Sequence, residues 1–199
     1  MSIQGAQRAV VGHAASDLMQ VDVGSRCRVL GLPPPQENLL RFRAFGLDLL
    51  LTLSSFDLVL AESGKPAKLG DHILVLHYLQ CDRPITPTGE LISFRDLPGG
   101  RFYWRPFLSR SIEPLTRRIG NDLALLARNL SSYDREPFEA GDLGARIHVI
   151  GMLDATLVYH CGDEEFGPAA EILFDACIKR VFTTEDVAHL ASRICIGLL

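Results

Sequence analysis

The sequence predicts an α+β fold, a single domain in which antiparallel β-hairpins pack against helices. Three observations lead there. Helix-period stretches and strand-like runs come in blocks rather than in the regular alternation of an α/β protein. Two β-rich runs, 143–150 and 153–160, are separated only by Gly151-Met152, a glycine-led gap that suits a type II′ hairpin. And 199 residues with 47% hydrophobic and 22% charged side chains are enough to bury roughly 70% of the extended surface in one core.

Ala6, Val10, Ala14 and Leu18 recur at helical spacing, with Val11 beside them, so residues 1–22 are read as an amphipathic helix that can stand as an appendage. Cys27–Leu30 is read as a short strand before the Pro33-Pro34-Pro35 break. Beyond it, Leu40–Phe45 and Asp48–Leu53 suit β structure, joined tightly at Gly46-Leu47, and Phe56–Leu60 adds a third strand. Glu62–Pro66 reads as a surface turn. A helix from about Leu69 to Cys81 leaves almost no polar side, which predicts burial on most of its circumference.

Pro84, Pro87 and Gly89 end that periodicity. After the segment 88–107, Pro114 suits a first helical turn, Leu115 and Ile119 share a face, and Gly120 stops the helix. Asn121 is a candidate N-cap for a second helix with Leu123, Leu126, Ala127 and Leu130 on its buried stripe. Ser131–Asp142 reads as a polar connection. At the end, Thr183-Thr184-Glu185-Asp186 is an acidic start for a helix burying Val187, Leu190, Ala191 and Ile194.

Bulk properties exclude several functions. A net charge of −4 and a pI near 5.8 oppose general nucleic-acid binding, which needs an excess of cations to neutralise phosphates. The longest apolar runs fall far short of the ~20 residues that span a bilayer, so no membrane association is expected. The N-terminal stretch has no basic start followed by an apolar block, and the five cysteines (Cys27, Cys81, Cys161, Cys177, Cys195) are odd in number and contain no Cys-x-x-Cys pair. A cytoplasmic protein with reduced thiols, without an iron–sulfur or cysteine-zinc site of its own, is the expectation. No Gly-x-Ser-x-Gly, Walker, dinucleotide-binding or His-Glu-x-x-His pattern occurs. His72 and His77 are five apart, about 140° around a helix, so they cannot face one ion.

The order LHYL (76–79), TGELISFRDLPGG (88–100), GDEEF (162–166), EILFD (171–175) and TTEDVAHLA (183–191) resembles the bacterial and archaeal domain of unknown function 3786, from about Gly24 onward. The resemblance implies no established activity and no known cofactor. It implies relatives in anaerobes that carry an added four-cysteine iron–sulfur domain like those of corrinoid proteins, hence a link to corrinoid or other cofactor metabolism by association. This chain lacks that cysteine cluster.

Two constellations are candidate sites. Within the 24 residues 95–118, Arg95, Arg101, Arg105, Arg110, Arg117 and Arg118 face only Asp96 and Glu113 in charge, among Phe94, Phe102, Tyr103, Trp104 and Phe107. With Gly99-Gly100 supplying backbone N–H groups, Arg95, Gly99, Gly100, Arg101, Tyr103, Trp104 and Arg105 form a candidate site for a small anionic ligand or an acidic protein partner. Alternatively, the arginines pair with the acidic stretch Asp134–Asp175, which has ten acids. The second constellation is the turn Asp163-Glu164-Glu165 beside His160, with Asp175 downstream. These four acids could hold a divalent metal, or one could serve as an acid/base group. Alternatively, they are a solvated turn, or the acidic start of a helix beginning near Pro168. The leading expectation is an accessory or ligand-binding protein; the alternative is an enzyme using Asp163, Glu164 or Glu165.

Overall fold

The computed structural model describes residues 2–199, an α+β chain whose strand pairings are antiparallel. It divides into two compact units, one running to Thr86 with Ile150–Met152 added, the other comprising Pro87–Val149 and Leu153–Leu199.

The first unit opens with α1 (Ile3–Leu18), whose Ser2 cap accepts the Gly5 N–H at 3.1 Å and whose Ala14 and Leu18 are buried. α1 packs against α3 (Leu69–Gln80). Cys27–Leu30, expected as a short strand, instead closes helix α2 (Val23–Val29) with Leu30 as its C-cap, because Asp22 caps the start of that helix through the Ser25 N–H and Ser25 Oγ. Arg26 of α2 donates to the carbonyls of Leu79 and Gln80 at 3.0 and 2.8 Å, satisfying the end of α3 with a cation where the helix dipole favours one. Seven of the twelve residues of α3 are buried, as its composition predicts.

β1 (Leu39–Ala44) and β2 (Leu47–Thr52) pair with Leu40 opposite Leu51 and Phe42 opposite Leu49, all buried, while Arg43 meets Asp48 at 2.9 Å on the other face. Their connection is Phe45-Gly46, one residue earlier than expected, with both residues at positive φ (55° and 75°) as a type I′ turn requires. A left-handed phenylalanine costs about 1–2 kcal/mol, which burial of its ring offsets with about 2 kcal/mol. β3 (Leu58–Leu60) pairs with β2. Before it, the Phe56 carbonyl lies 2.7 Å from His72 Nε2, whose pKa is lowered because burial disfavours the imidazolium. The Tyr78 hydroxyl, fully buried, donates to the Leu30 carbonyl and accepts the Met152 N–H at 3.0 Å. Gly151 passes so close that a Cβ there would overlap both Tyr78 Oη and Leu30 O, which is why glycine occupies this turn.

In the second unit, β6 (Leu143–Ile150), β7 (Leu153–His160), β8 (Ala169–Asp175) and β4 (Leu91–Ser93) are neighbours in that order, with β5 (Arg135–Pro137) on β6. The β6–β7 hairpin stands where the glycine-led gap predicts it, with Gly151 at φ 54°. β8 replaces the helix expected near Pro168, and the strand β5 interrupts the polar connection 131–142. The helices are α4 (Trp104–Arg110), α5 (Ile112–Ile119), α6 (Leu123–Leu130) and α7 (Thr184–Gly197). α5 ends at Gly120, φ 57°. Asp122, not Asn121, caps α6 by accepting the Leu125 N–H at 2.8 Å. α7 carries a capping box between Thr183 and Asp186 and buries Val187, Leu190, Ala191 and Ile194.

Candidate functional site

The site grows from the end of edge strand β4. Ser93 and Asp96 form a capping box over the short 3-10 turn Phe94–Asp96: Ser93 N–H and Oγ–H both donate to Asp96 Oδ2, at 2.9 and 2.8 Å. These bonds, first the hydroxyl and then the amide, lower the Asp96 pKa, and the charges of Lys179 and Arg101 add to the effect. The turn sends alternate side chains in opposite directions. Phe94 goes into the core, while Arg95 stays at the surface and lays its guanidinium over the Trp104 ring, 4.1 Å from the centroid.

Under Trp104 the stack continues. Phe107 lies 5.3 Å from Trp104 at 19°, and Phe94 lies 4.1 Å from Phe107 at 10°. Phe94 and Phe107 are buried, so the column runs from an exposed cation into the core and fixes the position of Arg95 from below. Gly100 is required by the same packing, because a Cβ there would overlap the Phe94 carbonyl. The loop is held from two more sides: Thr184 Oγ donates to the Pro98 carbonyl, and Ser192 Oγ to the Arg110 carbonyl, both at 2.8 Å.

Around this column lies an open pocket of about 440 Å³ lined by Ser93, Arg95, Asp96, Arg101 and Trp104. Of the sequence-predicted ligand residues, Arg95, Arg101 and Trp104 meet there. Gly99, at φ 72°, makes the turn between them. Gly100 does not present a free amide, since its N–H donates to the Leu97 carbonyl at 2.9 Å; its role is close packing rather than anion binding. Tyr103 and Arg105 are exposed beside the pocket, and Tyr103 meets Phe102 edge to face at 5.3 Å. Sequence reasoning missed Ser93, Asp96 and the nearby Lys179. The Ser-x-x-Asp spacing at 93–96 is a capping-box signal that could have found the first two.

The expected pairing of the arginines with the acidic stretch is not formed. Among the described residues, no salt bridge joins Arg95, Arg101, Arg105, Arg110, Arg117 or Arg118 to a carboxylate, and all six are exposed.

The acidic constellation comes apart. Asp163 Oδ1 accepts the N–H groups of Phe166 and Glu165, both at 2.8 Å, which closes an Asx turn and lowers the Asp163 pKa, the Phe166 bond contributing most. The turn is anchored by Asn121, whose side-chain amide exchanges hydrogen bonds with both peptide groups of Gly162, at 2.9 and 2.7 Å. Glu164 and Glu165 are exposed. Asp175 sits at the far end of β8, about 20 Å from that loop at ~3.3 Å per residue. There it accepts from the Thr88 N–H and hydroxyl, the Gly89 N–H and the Cys177 N–H. Burial alone would raise its pKa, but these donors outweigh it and hold the carboxyl well below the usual range. Asp163, Glu164, Glu165 and Asp175 therefore do not converge, and no group of three or more potential metal ligands is formed among the described residues.

The sequence profile of the family described as Domain of unknown function (DUF3786) matches residues 22–196. The chain belongs to this family. No curated protein matches it, and no solved structure does. The matched span includes every residue of the pocket. Among the described residues no helix is long and apolar enough to cross a membrane.

Proposed function

We propose that this DUF3786 protein is a binding protein without catalytic machinery of its own in this pocket, and that Arg95 and Arg101 receive the carboxylate or phosphate of an anionic ligand or acidic partner. The observation that supports this reading is the set of six exposed arginines without a salt-bridge partner among the described residues, two of which line one pocket beside an aromatic column. Arg95, pre-positioned by its stacking on Trp104, loses little side-chain freedom when an anion arrives, so more of the charge-assisted hydrogen-bond energy remains as affinity. Lys179 adds positive potential, while the Asp96 carboxylate in the pocket lining opposes an anion that comes close to it. The five free cysteines fit a reducing compartment, so the cytoplasm is the proposed location. A link to corrinoid or other cofactor metabolism has only the family resemblance in its support.

The test is calorimetric titration of the protein with inorganic phosphate and with citrate, beside a thermal melt. Arg95→Ala/Arg101→Ala should weaken binding about 10- to 100-fold, the loss of one to two charge-assisted bonds, while the melt falls by no more than the loss of one exposed cation–π contact, about 1 kcal/mol or less. Unchanged affinity in a folded double variant overturns the reading.

A further inference from the structure

The acidic turn that fails as a metal site has the complementary chemistry of the arginine surface. It presents Asp163, Glu164 and Glu165, all exposed, followed by Phe166 with 71% of its surface exposed. The ring gives the acidic loop an apolar contact surface beside its carboxylates. The loop is rigid for its size, closed by the Asx turn of Asp163, by the Asp163 N–H bond to the Phe166 carbonyl, and by the Asn121 clamp on Gly162. The arginine turn presents the counterpart: Arg101 and Arg105 beside Phe102 and Tyr103, which are 84% and 56% exposed. Among the described residues no salt bridge joins the two surfaces within the chain.

We propose that the chain self-associates, the acidic loop 163–166 of one copy docking its carboxylates on Arg101 and Arg105 and its Phe166 against Phe102 and Tyr103 of a second copy. This rests on the anion-binding reading of the arginine surface and names its partner. A second copy is favoured because one chain carries both halves in matching proportion: acids followed by one aromatic ring, and arginines flanking an aromatic pair. In a two-fold dimer each copy gives its loop and receives its partner's, so two equivalent contacts form. Exposed ion pairs supply steering and specificity, and the buried rings supply most of the affinity.

Charge exchange tests this directly. Sedimentation equilibrium should show a concentration-dependent dimer for the native protein that weakens as salt rises. Arg101→Glu/Arg105→Glu and Glu164→Arg/Glu165→Arg should each sediment as monomers with melts close to native, since none of these side chains forms a salt bridge among the described residues and only the attraction between Arg101 and Asp96 is lost. Mixed together they should re-form a dimer, because both contacts of the mixed pair are attractive again. Phe166→Ala should weaken native association by about tenfold or more. A native protein that stays monomeric, or a mixture that stays monomeric when the native chain dimerises, overturns the proposal. Phosphate titration of the Glu164→Arg/Glu165→Arg variant, whose pocket is intact, separates the two readings. Phosphate binding to this variant together with a native chain that stays monomeric sinks only the self-docking, whereas no phosphate binding at all sinks the anion site beneath it. A native chain that binds poly-glutamate but never itself assigns the surface to a foreign acidic partner, again against the proposal.

Discussion

Single residues in this protein are set by what approaches them rather than by their own propensities. Gly100 was expected to offer an amide to a ligand; it is glycine because the Phe94 carbonyl fills the place of its Cβ. Gly100→Ala should therefore displace the 3-10 turn and cost about 2–4 kcal/mol, read by chemical denaturation. Asp175 is similar: its four donors on Thr88, Gly89 and Cys177 explain the carboxylate without any metal. Because its folded pKa lies below the unfolded value of 3.8, its contribution is complete above that value and is lost as the pH falls below it. Asp175→Asn should lower the melting temperature at pH 6 and flatten the acid limb of the stability curve between roughly pH 4 and pH 2, measured by calorimetry at successive pH values.

At the scale of elements, what could be read in the sequence depended on length and caps. The buried α3, the terminal helix α7 with its Thr183–Asp186 box, and the hairpin at Gly151-Met152 were legible because each carries a full periodic run and a chemical punctuation mark. α2 was not, since seven residues are too few for periodicity to separate helix from strand, and only the Asp22 cap distinguishes them. β8 was hidden behind Pro168 and a run of acids that imitate a helix start, although Ala169–Asp175 pairs on both sides, with β7 and β4. Of the candidate site, the arginines and Trp104 were legible as composition. Their grouping was not, because it depends on the stack Arg95–Trp104–Phe107–Phe94, which no local pattern encodes. The clamp of Asn121 on Gly162 is likewise a contact between residues 41 apart. Asn121→Ala should cost about 1–2 kcal/mol and loosen the acidic loop, seen as faster amide exchange at Gly162 and Phe166.

For the whole molecule, the decisive feature is a pocket in which Arg95 is held by its ring stack and neither Arg95 nor Arg101 forms a salt bridge among the described residues. The chain provides a direct reporter of it, because its one tryptophan is Trp104, the ring on which Arg95 rests. An anion that draws Arg95 toward itself must change the surroundings of that indole, and no other tryptophan can obscure the signal. Titration of the native protein with inorganic phosphate at low ionic strength, followed by intrinsic fluorescence, is the most direct test. An anion site at Arg95 and Arg101 should give a saturable change that weakens with added salt and is absent from a folded Arg95→Ala/Arg101→Ala variant. A flat titration of the native protein, or an equal change in the double variant, would contradict it.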